Sequence, residues 1–413
     1  MTWLQGEAPI ALRNTTMHER GPRRARYTVD LGATAAQADR AEVAARFGRS
    51  IVAPVWSWLL WPEPFPDDAV LELRLTAPPK RRIVTALPRI GDGLYRVRKG
   101  DVSEAGYAAF GELDVEVISL PARLGGDATA QLDVVFLDAR YGLPKPVLLE
   151  WIRTRALAVS DFWGGFPVRR ALLVLVPGPD RTGVVFGRVL SVAGPAVVVF
   201  LGKPLRPEHL QRDWLLVHEL FHLGFPNVGP GSRWLTEGLA TYFEPIIQAR
   251  AGWRSEEALW AELADGLPRA KPAVDSRGLA RASDFGSIYW GGALVCLLAD
   301  IEVRRRTGGR RGLEHALVGL LDDGVDPNLH LPIGEAVAAL DKHLGAPILA
   351  GVIARHVETG TPFDLDALLK RLGVVRGKKG RWVLDDRAVD AATRRALLHG
   401  PPSEQVPPRG RPR

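Results

Sequence analysis

Two histidines and a glutamate occur close together in the segment 213–222, which reads DWLLVHELFH. His218 and His222 are four residues apart, so on a helix their imidazoles project from one face and can reach one zinc ion at about 2.0 to 2.1 Å. Glu219 lies beside the first histidine, where its carboxylate can contact a zinc-bound water and act as a general base. The spacing therefore predicts a hydrolytic zinc site.

The third ligand of this site is expected on the next helix. Glu237 lies in an apolar helix start, where a buried carboxylate without a cation would be costly and a zinc ion would compensate its charge. The fourteen residues between His222 and Glu237 contain several Gly and Pro, which end the first helix and let the second fold back against it. A carboxylate stabilised only by the helix dipole is the alternative. We predict one catalytic Zn²⁺ held by His218, His222 and Glu237.

The surroundings of the ligands support this prediction. Residues 214–217 and 220–221 are apolar, so two histidines on such a helix would need partners for their ring nitrogens, and a metal supplies them. A surface helix with two unrelated histidines is the alternative. Glu244, seven positions after Glu237, returns to nearly the same helical face. We expect it either to hydrogen-bond a ligand or to be a plain exposed carboxylate.

An α+β fold is expected to position these residues. Segments 70–75, 113–117 and 132–137 alternate apolar and charged residues between turn signals, which is typical of strands, so residues 25–140 are predicted to form a β-rich N-terminal domain. Apolar runs at 171–176 and 197–201 predict inner strands of a small sheet. Helices are predicted at 147–157, 207–223, 234–249, 288–306, 312–321, 333–344, 348–358 and 365–372, with a hairpin around 378–382.

The domain division follows from these elements. Residues 145–325 are predicted to form the zinc-binding catalytic domain, and 326–400 a C-terminal helical region. Residues 401–413 are rich in Pro, Arg and Gly and are predicted to be disordered. Trp56, Trp58 and Trp61 are predicted to be core residues of the N-terminal domain.

Composition excludes several classes of protein. The chain has 413 residues, 46% of them hydrophobic and 24% charged, which excludes a disordered or fibrous chain. Its one cysteine, Cys296, can form no intrachain disulfide and no thiolate zinc site. No apolar stretch reaches the roughly 20 residues that cross a bilayer. No signal peptide is visible in residues 1–24, so the compartment is unknown, with the cytoplasm expected by default and the periplasm or secretion if the start of the sequence is trimmed.

The net charge of +7 raises the question of a nucleic-acid partner. Lys and Arg are spread along the whole chain, with local clusters only at 80–82, 304–311 and 378–381. A solvated helix end and two turns account for these clusters, and a docking patch is the alternative. We therefore expect no nucleic-acid partner.

The zinc motif resembles that of the gluzincin metallopeptidases, in which HExxH is followed by a helix bearing the third ligand in a Trp-Leu-x-Glu-Gly setting. His218, Glu219, His222 and the segment 234–238, WLTEG, match this pattern. The sequence looks most like the glycyl aminopeptidase family and more distantly like the neutral aminopeptidases related to leukotriene hydrolase. This resemblance covers about residues 145–320. It implies a thermolysin-like zincin catalytic domain preceded by a β domain.

The resemblance also implies an oxyanion donor and shows departures. Tyr289, just before a Gly-containing helix start, matches a tyrosine that hydrogen-bonds the oxyanion in the related aminopeptidases. These enzymes carry a Gly-x-Met-Glu-Asn strand whose glutamate binds the substrate amine, whereas the counterpart predicted here, residues 192–197, contains no acidic residue. The stretch between His222 and Glu237 is also shorter than their usual eighteen residues.

Three functions are consistent with the sequence. The first is a zinc metallopeptidase that acts on a peptide or protein substrate, as an aminopeptidase or an endopeptidase, in which Glu219 activates water and Tyr289 stabilises the oxyanion. The second is a catalytically inactive zincin-fold peptide-binding or scaffolding protein. The third, a nucleic-acid-binding module, rests only on net charge.

Overall fold

The computed structural model describes most of the chain. The described residues are 2–5, 8–11, 24–38, 44–61, 66–123, 128–178, 180–270, 279, 282–359, 361 and 363–399. The tail 401–413, predicted to be disordered, lies outside them.

The N-terminal part is rich in strands, as predicted. Its strands are β1 (Thr2–Gln5), β2 (Ala8–Ala11), β3 (Arg24–Arg26), β4 (Ala45–Phe47), β5 (Ser50–Pro54), β6 (Val70–Arg74), β7 (Arg82–Thr85), β8 (Arg89–Gly91), β9 (Leu94–Arg98) and β10 (Tyr107–Gly111). They form three sheets with the orders β2-β1-β3, β4-β5-β10-β7 and β6-β9-β8. Trp58 is buried, and Trp56 and Trp61 pack partly buried against the same core.

A five-stranded sheet forms the framework of the catalytic part. Its strands are β11 (Asp114–Pro121), β12 (Thr129–Phe136), β13 (Arg170–Pro177), β14 (Val184–Leu190) and β15 (Ala196–Leu201), in the order β11-β12-β13-β15-β14. The inner strands β12, β13 and β15 are parallel to one another, and β11 and β14 are antiparallel edges. The two predicted inner strands are thus confirmed. Strands β11 and β12 come from the segment 25–140, so this sheet joins both predicted domains.

The two faces of this sheet have different partners because successive side chains of a strand point to opposite faces. Val174 and Val198 face the N-terminal sheet and pack with Val52. Leu173 and Val199 face the helices. The zinc-site helices therefore pack on one face of the sheet and the N-terminal domain on the other.

The eight predicted helices are present, one of them in two parts, and the helices at 31–37, 256–266 and 391–396 were not predicted. They are α1 (Leu31–Gln37), α2 (Lys145–Trp163), α3 (Pro207–Gln211), α4 (Leu215–Phe221), α5 (Arg233–Arg250), α6 (Glu256–Gly266), α7 (Gly292–Thr307), α8 (Leu313–Asp322), α9 (Ile333–Leu344), α10 (Ile348–Ile353), α11 (Leu365–Leu372) and α12 (Ala391–Ala396). π-Helical turns, Ser287–Gly291 and Ala354–Glu358, adjoin α7 and α10. The predicted hairpin is present as β16 (Val374–Arg376) and β17 (Trp382–Leu384).

The predicted helix 207–223 is divided into α3 and α4. The carboxylate of Asp213 accepts hydrogen bonds from the N–H groups of Leu215 (3.0 Å) and Leu216 (3.2 Å). These bonds satisfy two donors that a helix leaves unpaired at its start, so a new helix begins there. The apolar stripe alone does not reveal this break.

One basic cluster differs from its prediction as a solvated helix end. Arg304 is buried inside the protein, where it donates hydrogen bonds to Asp300 (3.0 Å) and Glu314 (2.8 Å). Arg306 conforms to the prediction and pairs with Glu302 on the surface. No helix within the described ranges combines the length and hydropathy that spanning a bilayer requires.

Candidate metal centre

Helices α4 and α5 bring the three predicted ligands together. His218 lies in α4, and His222 directly follows α4 in a 3₁₀ turn, with the two ring centroids 5.0 Å apart. Oε2 of Glu237, from the first turns of α5, lies 3.3 Å from Nε2 of His218 and 3.4 Å from Nε2 of His222. The structure thus places all three predicted ligand side chains around a single point.

These separations fit a zinc ion. Ligands about 2.05 Å from a tetrahedral ion are about 3.3 Å from one another, which matches both distances to the carboxylate. Two imidazoles and one carboxylate are a donor set of catalytic zinc sites that keep a position open for water. Among the residues that the structure describes, this is the group of His, Cys, Asp or Glu side chains whose ligand atoms converge, all within 4.8 Å.

The charges of the three ligands are mutually adjusted. Burial by itself would raise the pKa of Glu237, but hydrogen bonds from the two histidines lower it well below its usual range. Burial lowers the pKa of His218. Burial acts in the same direction on His222, but the hydrogen bond and the charge of Glu237 outweigh it and raise the pKa of His222. Metal binding needs neutral imidazoles beside an ionised carboxylate, so a zinc ion and a proton compete for His222.

Glu219 is buried beside the ligands and against the edge strand β14. Burial raises the pKa of its carboxyl to about 7, although the neighbouring His222 acts in the opposite direction. A Cβ atom on Gly187 would lie 2.6 Å from Cγ of Glu219, so a side chain at this position of the strand would collide with the base. The edge strand therefore runs directly past Glu219. A general base with a pKa near neutrality is well matched to its task.

Tyr289 lies in the π-helical turn that precedes α7. Its ring stacks on the ring of His218, with centroids 5.8 Å apart and planes 14° apart. Burial, followed by the nearby carboxylates of Glu237 and Glu219, raises the pKa of the phenol above its usual value. The hydroxyl therefore keeps its proton and remains a hydrogen-bond donor. Single π-turns inside helices occur frequently at functional sites.

Two glycines explain how Tyr289 comes so close to the metal ligands. A Cβ on Gly292 would lie 1.8 Å from the carbonyl oxygen of Trp234, and one on Gly238 would lie 2.3 Å from the carbonyl carbon of Gly292. The backbones of α5 and α7 thus touch at a point that admits no side chain. This contact packs the turn that bears Tyr289 against the start of the helix that bears Glu237.

Glu244 differs from both of its predicted placements. It is buried, so it is not an exposed carboxylate, and burial raises its pKa well above the usual value. Its partner is Gln248, which also donates to the carbonyl of Asp213 (3.1 Å). The predicted hydrogen bond from Glu244 to a metal ligand is therefore not observed. Nδ1 of His218, for example, is buried without a hydrogen-bond partner among the described residues.

The predicted strand 192–197 is also corrected. Residues 192–195 form a bend in which Ala193 and Gly194 have positive φ, and Ala196 begins the inner strand β15, both of whose edges are paired. An inner strand has no free edge for a peptide. The strand that runs past Glu219 is β14, which the sequence-based search for an acidic motif missed. Gly187 was the available signal, since a glycine inside a strand often marks close approach of another group.

Two arginines near the site were also missed. Nη2 of Arg233 lies 3.3 Å from Oε1 of Glu237, the oxygen farther from the histidines, and is four residues away on the same helix. Arg188 on β14 lowers the pKa of Glu219 through its charge. Neither arginine stands out in a sequence with evenly spread basic residues.

Comparisons with known proteins agree with this architecture. No protein-family model and no curated protein matches the sequence. An aminopeptidase N family protein from Idiomarina loihiensis has a similar structure, with a TM-score of 0.60 and 16% identity over 84% of this chain and 66% of that one. The chain therefore spans just under two thirds of that protein.

An M1 zinc metallopeptidase from Deinococcus radiodurans is also similar, with a TM-score of 0.52 and 18% identity over 79% of this chain and 74% of that one. These matches confirm the predicted α+β fold and the gluzincin resemblance at the level of fold. The closer resemblance to the glycyl aminopeptidase family stays a prediction. The chain has the fold of the M1 zinc metallopeptidases.

Proposed function

We propose that the protein is a zinc-dependent peptide-bond hydrolase. The observation that carries the proposal is the convergence of His218, His222 and Glu237 at distances that suit one zinc ion, with Glu219 and Tyr289 beside them. A variant of the Deinococcus radiodurans protein has been solved with a Tyr-Ser-Ala substrate, which supports a peptide as the substrate class.

Each side chain has a task in this reaction. A zinc ion bound by the three ligands would polarise the scissile carbonyl and make water more acidic. Glu219 accepts the proton of the attacking water and passes it to the leaving amine, which suits a carboxyl with a pKa of about 7. Tyr289 donates a hydrogen bond to the oxygen on which negative charge develops.

The edge strand β14 supplies a second element of the proposal. Its outer edge is unpaired in the described sheet, and it runs past Glu219. An extended peptide can bind such an edge through main-chain hydrogen bonds. The strand contains no Asp or Glu that could bind a free amino terminus. Identification of the cleavage products will show whether the protein cuts at a chain end or within a peptide.

The test is digestion of a mixed peptide pool by the zinc-loaded protein, with sequencing of the products. Glu219→Gln should keep its zinc, measured by elemental analysis, but lose about 10² to 10⁴ of the hydrolysis rate. Glu257→Gln, at an exposed position of α6, is the matched control and should retain activity. Undiminished turnover by Glu219→Gln would refute the assigned base. Complete inactivity of the zinc-loaded wild type would favour a peptide-binding or scaffolding protein.

A further inference from the structure

Three aromatic side chains are exposed in the described part of the chain, and two of them border the candidate metal centre. Phe285 is 60% exposed, Trp214 is 44% exposed, and Phe186 is 36% exposed. Trp214 precedes the helix that carries His218, and Phe285 precedes the turn that carries Tyr289. Phe186 instead packs against Phe200, on the face of the edge strand opposite Gly187.

Two of these side chains belong to one continuous row of rings. Phe285 stacks on Tyr289 with centroids 4.0 Å apart. Tyr289 in turn stacks on His218 at 5.8 Å, and the ring of Trp214 meets His218 edge-on at 5.5 Å. The exposed rings of Phe285 and Trp214 thus stand at the two ends of a row whose middle members are the oxyanion donor and a metal ligand.

Core packing does not account for these two positions. The residues that follow Trp214 in α4, from Leu215 to Phe221, are buried, yet the larger Trp214 ring is left in contact with solvent. Single exposed apolar residues are common on protein surfaces, but apolar rings gathered at one cleft mark a surface that binds a ligand.

We propose that this row, from Phe285 to Trp214, is a subsite for an aromatic side chain of the peptide that adjoins the scissile bond. The inference rests on the proposed peptidase function and goes beyond it by naming the substrate class. A carbonyl oxygen that accepts a hydrogen bond from Tyr289, as proposed above, would bring the side chains on either side of that carbonyl near the row. Phe285 and Trp214 offer ring faces and edges, with which an aromatic side chain makes offset-stacked or edge-to-face contacts.

The first test compares two peptides that differ only in having Phe or Ala beside the scissile bond. The wild type should cleave the Phe peptide with a kcat/KM at least about 100-fold higher, since even one methylene group in an apolar pocket changes discrimination by about tenfold or more. Phe285→Ala and Trp214→Leu should each reduce this preference by about tenfold, with zinc content and Tm close to wild type. Val383→Ala, an exposed apolar position on the C-terminal hairpin, should leave it unchanged.

A second test separates failure of the subsite from failure of the peptidase function. Binding of the same two peptides to zinc-loaded Glu219→Gln is measured by calorimetry, which requires no turnover. A preference for the Phe peptide that Phe285→Ala removes would support the subsite even if the wild type cleaved neither peptide, a result that would overturn only the proposed function. An equal affinity for both peptides, or a preference that survives both substitutions, would overturn the subsite.

Discussion

At the scale of single residues, the hydroxyl of Tyr289 is separable from the ring that carries it. The ring lies between those of His218 and Phe285, so stacking fixes its position independently of the hydroxyl. The phenol keeps its proton because burial and two carboxylates raise its pKa. Removal of the oxygen alone therefore probes hydrogen-bond donation and leaves the packing in place.

Tyr289→Phe is accordingly expected to lower kcat by about 10² to 10³, the usual effect of losing one oxyanion donor. KM and zinc content should stay near wild type because the three ligand side chains and the ring stacking on His218 are kept, although the hydrogen bond between the phenol and Glu237 is also lost. Steady-state kinetics and elemental analysis measure these quantities, with Tyr95→Phe on the N-terminal strand β9 as the control. A kcat within about threefold of wild type would exclude Tyr289 from the reaction.

The sequence alone predicted the relative positions of residues that are close together in the chain. His218 and Glu219 lie in α4 and His222 directly follows it, so their mutual arrangement follows from a period of 3.6 residues. Gly187 could not be found in the same way, because its contact with Glu219 depends on which strand forms the edge of the sheet. The prediction for Glu244 was wrong because helical spacing shows on which face of α5 its side chain lies but not which residues pack against that face.

At the scale of elements, a polar cluster holds the two ligand helices together. Asp213 accepts hydrogen bonds from two N–H groups at the start of α4, while its own carbonyl accepts one from Gln248 of α5. Arg155 of α2 donates to the carbonyl of Leu210 (2.9 Å), just before this point. Helices α2, α3, α4 and α5 are thereby joined near the residue at which α4 begins.

The charge of Asp213 should make stability depend on pH. Burial raises the pKa of its carboxyl from the ordinary value of 3.8 to about 6 in the folded protein, although hydrogen bonds from Leu216 and Leu215 oppose this. An acid whose pKa is raised on folding contributes stability below its unfolded pKa and loses it as the pH rises through the folded value. Between pH 4 and pH 8 this contribution should fall by up to about 3 kcal/mol.

Asp213→Asn cannot ionise, so its free energy of unfolding should fall less between pH 4 and pH 8 than that of the wild type. At a fixed pH of 4 it should be about 1 kcal/mol less stable, since one helix-start hydrogen bond is lost. Urea unfolding at a series of pH values measures both effects. Asp68→Asn, at an exposed position, should follow the wild-type profile, and an identical profile for Asp213→Asn would contradict the argument.

The bounds of some helices follow from residues nearby in sequence, whereas other features of the fold depend on contacts between distant segments. Helices α9 and α11 have the predicted bounds, 333–344 and 365–372, because a proline or an aspartate precedes each and a glycine follows it. The break at Asp213 was not predicted, although Asp is a common residue at helix starts, because the apolar stripe continues across it. Strands β11 and β12 belong to the five-stranded sheet because they pair with strands far away in sequence. Local periodicity gives no information about such pairing, so the sequence did not predict it.

At the scale of the whole molecule, a buried ionic network connects the catalytic helices to the C-terminal region. Arg304 of α7 is paired with Asp300 and Glu314, and it also donates to the carbonyl of Ala396 (2.8 Å). Arg250, at the end of α5, shares Glu314 (3.0 Å). The helix bearing Glu237 and the end of the described chain are therefore held by the same buried charges.

Arg304→Met tests how much this network contributes to stability. The substitution keeps an unbranched side chain of similar reach but leaves Asp300 and Glu314 buried without their main cation, which typically costs about 3 to 5 kcal/mol. Arg306→Met, two residues away on the same helix, removes only the exposed pair with Glu302 and should cost less than about 1 kcal/mol. Urea unfolding of the three proteins, with the slope of the transition compared, gives both values. Equal losses would mean that burial of Arg304 adds nothing to its pairing, and that this network is not what holds the C-terminal region to α5 and α7.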